Sequence, residues 1–561
     1  MRKLYIALAA LALGAPLSAQ NINQSVQVTN DYVGRFADFQ KMGAVPQVPD
    51  SLYRFDYKFD YSVFDTPYKG AYEFTPYEIR VTPEARPYDG SRFYLRAGAG
   101  YSLHPQLMLA WQALQRENLT VGVFADASGY AGQYRRSKDA DPFRGHDISG
   151  RAGVGGQYLL PAATLSWQLA YEGIAAGEDV DAPRFRSGFN AAVVNGRVQS
   201  RERPGDFLFY DIDLRYRYAS DAYAPVLNRA NLGENNFHLG VSGGPVLNGK
   251  YRILLDALFE MDALRETGIA SPQRFSASLA ALRPHVDFLL GPVQLDAGAR
   301  IDYAECGEDK RFTVSPDVIA RLDLIERDLR LFAAVSGGQS LVSHYDVRHI
   351  SHFSYRLDTG TALSREKIRA RIGIDGHWNS RLQYGFEAGY VSYAGLPLDG
   401  CPFTGPIITG YITDRVPWPV TAFVGQADFQ SAYARAKLSW ADERVQVDGN
   451  LGYAHHILPE EEFPVYTPPA FTADVRGSYN WQKRIFAGAF VEAASARTPM
   501  AAWAATPIRG YANLGLTGEF RVDRRWGVWA EAGNLLCMDI ERVPGYIERG
   551  PYVTLGVSLK L

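Results

Sequence analysis

The sequence predicts an all-β protein: a transmembrane antiparallel β-barrel of about 22 strands with a short extended N-terminal arm. Three observations predict this fold. Apolar and polar residues alternate over stretches of about ten residues, the length that a tilted strand needs to cross a membrane. The connections between these stretches alternate between short and long, and the C-terminal stretch is apolar on one face.

The alternation is clearest between Phe207 and Tyr218. Because successive strand side chains point to opposite faces, one face of this stretch is apolar and the other is charged. The apolar face holds Leu208, Tyr210, Ile212, Leu214, Tyr216 and Tyr218, and the charged face holds Asp211, Asp213, Arg215 and Arg217. Residues 252–262 and 368–378 alternate in the same way. We expect the apolar faces to contact lipid and the polar faces to line the lumen.

The connections indicate how the strands are arranged. Short turns are expected near residues 116–118, 248–249, 291–292, 326–328, 379–380, 442–443, 482–483 and 523–524. Long polar connections are expected near residues 131–145, 219–234, 264–271, 340–361, 396–420 and 457–468. In outer-membrane barrels the periplasmic turns are short and the extracellular loops are long. Both ends of the mature chain should therefore be in the periplasm. The count of 22 requires a strand near residues 184–201. A β-propeller would require a repeat of about 40–50 residues, and none is seen.

The C-terminal stretch, Tyr552 to Leu561, is typical of a strand that closes such a barrel. Its apolar face holds Val553, Leu555, Val557, Leu559 and Leu561, and its polar face holds Tyr552, Thr554, Gly556, Ser558 and Lys560. In a soluble domain, so apolar an edge strand would favour aggregation.

The first ninety residues differ from the rest of the chain. A basic start, an apolar run from Leu4 to Leu13 and small residues near Ala19 predict a signal peptide over residues 1–20. Residues 21–90 are rich in proline and predict an extended periplasmic arm without a plug domain, followed by the barrel over residues 91–561. Within the arm, five aromatic residues at strand spacing predict a segment that binds a partner protein or the barrel wall: Tyr53, Phe55, Tyr57, Phe59 and Tyr61.

The charge and the cysteines exclude some classes of protein. A net charge of −3 argues against a nucleic-acid partner. Three cysteines are too few for a disulfide scaffold. Cys306, Cys401 and Cys537 all lie in or beside stretches placed on one side of the barrel, where a single disulfide of undetermined pairing is an open alternative.

Residues 92–561 resemble the barrel of a TonB-dependent receptor in strand number, in the alternation of connections and in the C-terminal strand. The arm carries Asp60-Tyr-Ser-Val-Phe-Asp-Thr-Pro67 and is similar to that of receptor-like proteins that have the barrel without the plug. The resemblance implies a location in the outer membrane of a Gram-negative bacterium.

Two predicted loops contain histidines and carboxylates. The first holds His344, Asp346, His349 and His352, and the second holds His455, His456, Glu460, Glu461 and Glu462. Such side chains suit a transition metal, so a metal site is the functional alternative to solvated loops. Neither loop shows a helix or turn that would fix ligand geometry, and we therefore predict no metal and no cofactor. Ser343, His344 and Asp346 are neighbours without an oxyanion hole, so no catalytic residue and no enzyme activity are predicted.

Charged residues are also expected inside the barrel. They are Arg215, Arg217, Arg321, Arg369, Arg371, Arg435 and Lys437, facing Asp211, Asp213, Asp256, Glu260, Asp323, Asp375 and Asp448. We interpret them as ion pairs of a polar lining, and the alternative is a charged permeation path.

Two functional hypotheses follow. The first is a receptor- or porin-type barrel, surrounded by outer-membrane lipid, that takes part in transport or capture of an unidentified solute. The second is a structural barrel that recruits a periplasmic or outer-membrane protein through its arm.

Overall fold

The structure, a computed structural model, describes residues 92–561 except 139, 180–185, 202–206, 224–229, 248–250, 268–272, 326–327, 354, 357–361, 380, 401–422, 460–463, 502–506 and 549. The signal peptide, the arm and its five aromatic residues lie outside the described residues.

The described residues form one sheet of 25 strands, of which 22 make the wall of a closed barrel. The wall strands are β1 (Phe93–Tyr101), β2 (Gln106–Gln115), β3 (Leu119–Arg135), β4 (Phe143–Leu159), β5 (Ala163–Asp179), β6 (Arg186–Ser200), β7 (Leu208–Tyr223), β8 (Ala230–Leu247), β9 (Tyr251–Thr267), β10 (Gln273–Leu290), β11 (Val293–Cys306), β12 (Asp309–Ile325), β13 (Leu329–Val342), β15 (Ala362–Trp378), β16 (Leu382–Asp399), β17 (Phe423–Ala441), β18 (Val445–Ile457), β19 (Phe471–Trp481), β20 (Ile485–Ala494), β21 (Tyr511–Arg521), β22 (Trp526–Gly533) and β25 (Tyr552–Lys560). Three short strands and one helix lie in connections: β14 (Tyr355–Arg356), β23 (Ile540–Val543), β24 (Tyr546–Glu548) and α1 (His344–Ile350).

The barrel closes where its last strand pairs with its first. Strands β25 and β1 are antiparallel, in a register that runs from Tyr94 opposite Lys560 to Tyr101 opposite Val553. This closure and the strand β6, Arg186–Ser200, confirm the predicted fold class and the predicted count of 22. We call the end of the barrel that holds Arg92 and Leu561 the turn end, and the opposite end the loop end.

The predicted faces of the wall are confirmed. In β25, Leu555 is exposed on the lipid side, whereas Thr554 and Ser558 are buried toward the lumen. In β7, Ile212 and Leu214 are exposed, and Asp211 and Arg217 are buried. No helix in the described part of the chain is both long and apolar enough to span a membrane.

Several strands extend further toward the loop end than the sequence predicts. The expected connections at 131–145, 219–234 and 264–271 are wrong in extent, because β3, β7 and β9 continue to Arg135, Tyr223 and Thr267. Two loop-end connections, 102–105 and 307–308, are short. Beyond the membrane both faces of a hairpin can contact water, so backbone pairing continues where the apolar alternation has ended.

At the turn end, aspartates fix two tight connections. One oxygen of Asp442 accepts hydrogen bonds from the backbone N–H groups of Arg444 and Val445, both at 2.7 Å. Asp523 accepts equivalent bonds from Arg525 and Trp526, also at 2.7 Å. In each case these bonds lower the pKa of the carboxyl group, because they stabilise its ionised form.

Candidate functional site

The most elaborate part of the barrel interior is the connection between β13 and β15, which folds inward from the loop end. We call residues 343–353 the lid segment; it contains α1. Ser343 is the N-cap of α1, and its hydroxyl accepts a hydrogen bond from the backbone N–H of Asp346. The carboxylate of Asp346 in turn accepts a bond of 2.9 Å from the backbone N–H of Ser343. This reciprocal capping box starts the helix and places an acid in its first turn.

The helix is fixed to the wall by buried charges. Asp221 of β7 lies 3.0 Å from Nε2 of His344 and 3.1 Å from Nε of Arg348. Ser187 of β6 donates a hydrogen bond to Asp221 and accepts one from Arg348 at 2.6 Å. All four side chains are buried. One carboxylate of the wall therefore holds both ends of the helix.

A second wall carboxylate caps the helix N-terminus. Glu234 of β8 accepts hydrogen bonds from the backbone N–H groups of His344 and Tyr345. These donors would otherwise have no intrahelical partner. Arg217 of β7 donates a 2.8 Å hydrogen bond to the Ser343 hydroxyl, and its guanidinium group lies 3.9 Å from the centre of the Tyr345 ring. The start of α1 is thus held by the wall through charge, hydrogen bonds and ring contact.

Tyr345 extends the contact to β5. Its hydroxyl donates a hydrogen bond to Glu172, and its ring stacks on His349 with centroids 4.0 Å apart. Burial, followed by the negative charge of Glu172, raises the pKa of Tyr345. Tyr345 is therefore a neutral donor to the carboxylate.

The other side of the lid segment packs against apolar residues of β16, β17 and two loop-end connections. Val347 and Ile350 belong to a buried cluster with Val342, Leu396, Leu398, Val424, Ala427, Phe429, Val465 and Met500. The lid segment is therefore attached to β5–β8 by polar contacts, and to β16, β17 and two loop-end connections by apolar contacts.

A second connection, residues 534–551 between β22 and β25, joins the same cover. Tyr546 stacks on Phe353 of the lid segment, with ring centroids 3.8 Å apart, and meets the edge of Tyr134 of β3 at 5.8 Å. Its strand β24 pairs with β3, with Ile547 opposite Arg135. Two distant connections are thereby joined over the lumen.

A cavity of about 290 Å³ lies between the lid segment and the wall of β4–β7. Its lining is largely polar and consists of Arg151, Gln168, Ala170, Glu172, Val193, Asn195, Arg215, Arg217, Tyr345 and Asp346. The carboxylates of Glu172 and Asp346 are engaged by Tyr345 and Ser343. Arg215, in contrast, makes a longer ion pair of 3.6 Å with Glu260, and its side chain is partly exposed. Three arginines and two side-chain amides thus contribute to the lining of the cavity.

Several of the predicted lumen charges form ion pairs, as expected. Asp256 pairs with Arg283 at 3.1 Å, Asp323 with Arg330 at 2.6 Å, and Arg371 with Glu387 at 3.7 Å. Arg283 was not singled out from the sequence, yet it also pairs with Asp296 and Asp317. Its position in the inward alternation of β10 could have identified it.

The histidines of the first predicted loop do not converge. His344 lies on Asp221, His349 on Glu172 at 3.5 Å, and His352 on Asp147 at 2.6 Å. Within the described ranges, no group of three histidine, cysteine or acidic side chains could hold a metal ion. The expectation that this loop contains no helix is wrong. The spacing Ser343-x-x-Asp346 is a capping box and could have predicted the helix.

The remaining predicted site residues lie either in the barrel wall or outside the described residues. His456 contacts Ser431 at 3.2 Å in the wall, and Glu460, Glu461 and Glu462 lie outside the described residues. Cys306 and Cys537 are both at the loop end, as predicted, and Cys401 is outside the described part, so the cysteine pairing stays a prediction.

The closed wall, its lipid-facing apolar surface and the inward-folded loops define an outer-membrane β-barrel of the size used by receptors. No protein-family model and no curated protein matches the chain. Among solved structures, the copper transporter OprC is 12% identical, with a TM-score of 0.59, over 84% of this chain and 80% of its own. The ferric enterobactin receptor PfeA of Pseudomonas aeruginosa is 13% identical, with a TM-score of 0.56, over 84% and 80%. The ferric-catecholate import receptor Fiu of E. coli K12 is 10% identical, with a TM-score of 0.59, over 85% and 82%.

At these identities the comparisons establish the fold. They confirm the predicted resemblance to the barrel of TonB-dependent receptors. This barrel fold matches that of Gram-negative outer-membrane receptors, in agreement with the predicted location.

Proposed function

We propose that this barrel takes part in solute capture or transport across the outer membrane, and that the solute binds in the cavity beneath the lid segment. The observation that carries the proposal is the docking of α1 on the lumen wall through Asp221 and Glu234, directly beside a polar cavity. Small-molecule sites are concave and orient their ligands with placed polar groups. This cavity is concave, is near the lower end of their size range, and has a largely polar lining that suits a polar solute.

The nature of the lid contacts supports a solute path rather than a purely structural core. A lumen filled only for stability would gain most from apolar packing, because buried ion pairs carry a large desolvation cost. Here the contacts of Arg348 and His344 with β7 are ionic, whereas the apolar contacts of the lid segment are with β16, β17 and two loop-end connections.

Conductance and solute flux of the purified protein test the proposal. The wild-type barrel is compared, in planar bilayers and in liposomes loaded with small polar solutes, with a variant in which residues 344–353 are replaced by a Gly/Ser linker of equal length. We expect the replacement to raise conductance and flux, because it removes the cover from the lumen. The shift of unheated, folded barrel on gel electrophoresis shows whether both proteins fold.

A matched variant addresses the cavity itself. Arg215→Gln keeps the lid contacts of Asp221 and Glu234 and removes one guanidinium group from the cavity. We expect it to change solute selectivity and leave the lid closed. A wild type and a lid-replaced barrel that are equally impermeable would contradict the proposal. They would favour the predicted alternative, a structural barrel with partner proteins, which would then co-purify in stoichiometric amounts.

A further inference from the structure

An uncompensated pair of arginines lies on the lipid-facing side of the wall, near the loop end. Arg265 of β9 and Arg274 of β10 are directly opposite each other in the antiparallel register. Both are exposed, while Leu264 and Glu266 on the other face of β9 are buried. Both arginines therefore point outward.

Like charges directly opposite on one face of a sheet repel each other, because their Cβ atoms are only about 4.5–5.5 Å apart. Neither guanidinium group has an ion pair among the described residues. Five outward neighbours on β8, β9 and β10 are uncharged: Asn231, Asn235, Thr267, Ser276 and Ser278. On the other side of β10, the outward Glu305 of β11 lies opposite Ser278 and pairs with Lys310 at 3.5 Å. The connection at 268–272 reads Gly-Ile-Ala-Ser-Pro and contributes no carboxylate. The two positive charges therefore have no ion-pair partner among the residues that the structure describes.

The height of the two arginines above the apolar band shows which layer of the membrane surrounds them. Outward residues of β9 from Ile253 to Met261 are exposed and mostly apolar. With a rise of about 3.4 Å per residue and a tilt of about 40°, these eight steps span about 21 Å of the roughly 25 Å apolar band. Arg265 lies four residues further, about 10 Å above Met261. That is the level of lipid head groups.

We propose that Arg265 and Arg274 form a binding site for the phosphate of an anionic lipid in the outer leaflet, on the outer surface of the barrel wall. A phosphate between two guanidinium groups accepts paired hydrogen bonds and neutralises the repulsion. The surrounding Asn, Thr and Ser side chains provide uncharged hydrogen-bonding groups for the rest of a polar head group, and the acyl chains contact the apolar band beneath it. This site is separate from the lumen cavity and does not depend on the transported solute.

Native mass spectrometry of the purified barrel in a mild detergent tests the proposal. The probes are a bis-phosphorylated acylated disaccharide lipid and the same lipid without phosphates. We expect the wild type to bind the phosphorylated lipid at least tenfold more tightly. The double variant Arg265→Gln/Arg274→Gln should lose this preference. The control Arg144→Gln/Lys310→Gln, which removes the same net charge from outward positions on β4 and β12, should keep it.

Three results would overturn the proposal: equal binding of the two lipids by the wild type, an unchanged preference in the double variant, or complete competition by millimolar inorganic phosphate, which would indicate a general anion site. If the double variant does not fold, the single variant Arg274→Gln answers the same question through stability. It should resist unfolding better than wild type in lipid-free detergent, where repulsion is relieved, and worse in the phosphorylated lipid. The same sign in both media would refute the site.

Discussion

Removing the carboxylate of Asp221 should release the lid segment from the wall. Asp221, Arg348 and His344 have side chains that are 1%, 1% and 3% exposed. Asp221→Ala would leave Arg348 buried without the charge that faces it in β7. Breaking a buried pair by removing one partner costs about 3–5 kcal/mol. Because strand pairing closes the 22-stranded barrel without the lid segment, we expect this cost to appear as lid opening and not as barrel unfolding.

The magnitude can be converted into a measurable change. Every 1.4 kcal/mol is about a factor of ten in an equilibrium constant, so the open fraction of the lid segment should rise by about two to three and a half powers of ten. The backbone N–H groups of Val347 and Ser351 are hydrogen-bonded within α1, both at 3.2 Å. Hydrogen exchange at these amides, followed by mass spectrometry in detergent, reports the opening directly.

Two further variants separate charge from general damage. Asp213→Ala removes another lumen-side carboxylate of β7, one that is 40% exposed and paired with His238, and should leave exchange in α1 unchanged. Asp221→Leu combined with Arg348→Leu removes the buried charge together with its partner and should restore much of the protection. Protection of Val347 within tenfold of wild type in Asp221→Ala would refute the assignment of Asp221 as the anchor.

Four other predictions follow from the same structure. Ile212→Arg should destabilise the barrel by about 2–4 kcal/mol, since the side chain faces lipid, whereas Asp213→Asn should cost under about 1 kcal/mol; equal effects in urea unfolding would contradict the faces of β7. Peptide tags at 307–308 should be labelled on intact cells, and tags in the turn that contains Asp442 only after permeabilisation. The pKa of Asp442 is lowered in the folded protein, so its contribution to folding stability is present above the pKa of the unfolded chain and is lost as the pH falls through the folded pKa. Asp442→Asn should therefore match wild type in unfolding rate at strongly acidic pH and differ from it at neutral pH. Deleting residues 21–62 should raise antibiotic permeability or remove a co-purifying protein, and an unchanged phenotype would show that the arm is a passive linker.

The wall of this barrel is predictable from the sequence because each membrane-crossing residue must face either lipid or lumen. Ile212 and Asp213 are neighbours in sequence and lie on opposite sides of the wall, and that local alternation is sufficient to define β7. The extent of the strands beyond the membrane is not predictable in this way, because both faces there can contact water. This is why β9 reaches Thr267 although a loop is expected from residue 264.

For the lid segment, the sequence determines where the helix begins, and the tertiary structure determines what holds it in place. The capping spacing of Ser343 and Asp346 is local and determines that a helix can begin there. What holds that helix is decided only by the tertiary structure, since Asp221 is 123 residues from His344 along the chain. Barrel closure brings β7 beside the connection that follows β13. The three histidines of the lid segment then contact three separate carboxylates and do not form one metal site. Residues so far apart share a site because the wall curves around the lumen, and a curvature that arises from all 22 strands together is not contained in any one stretch of sequence.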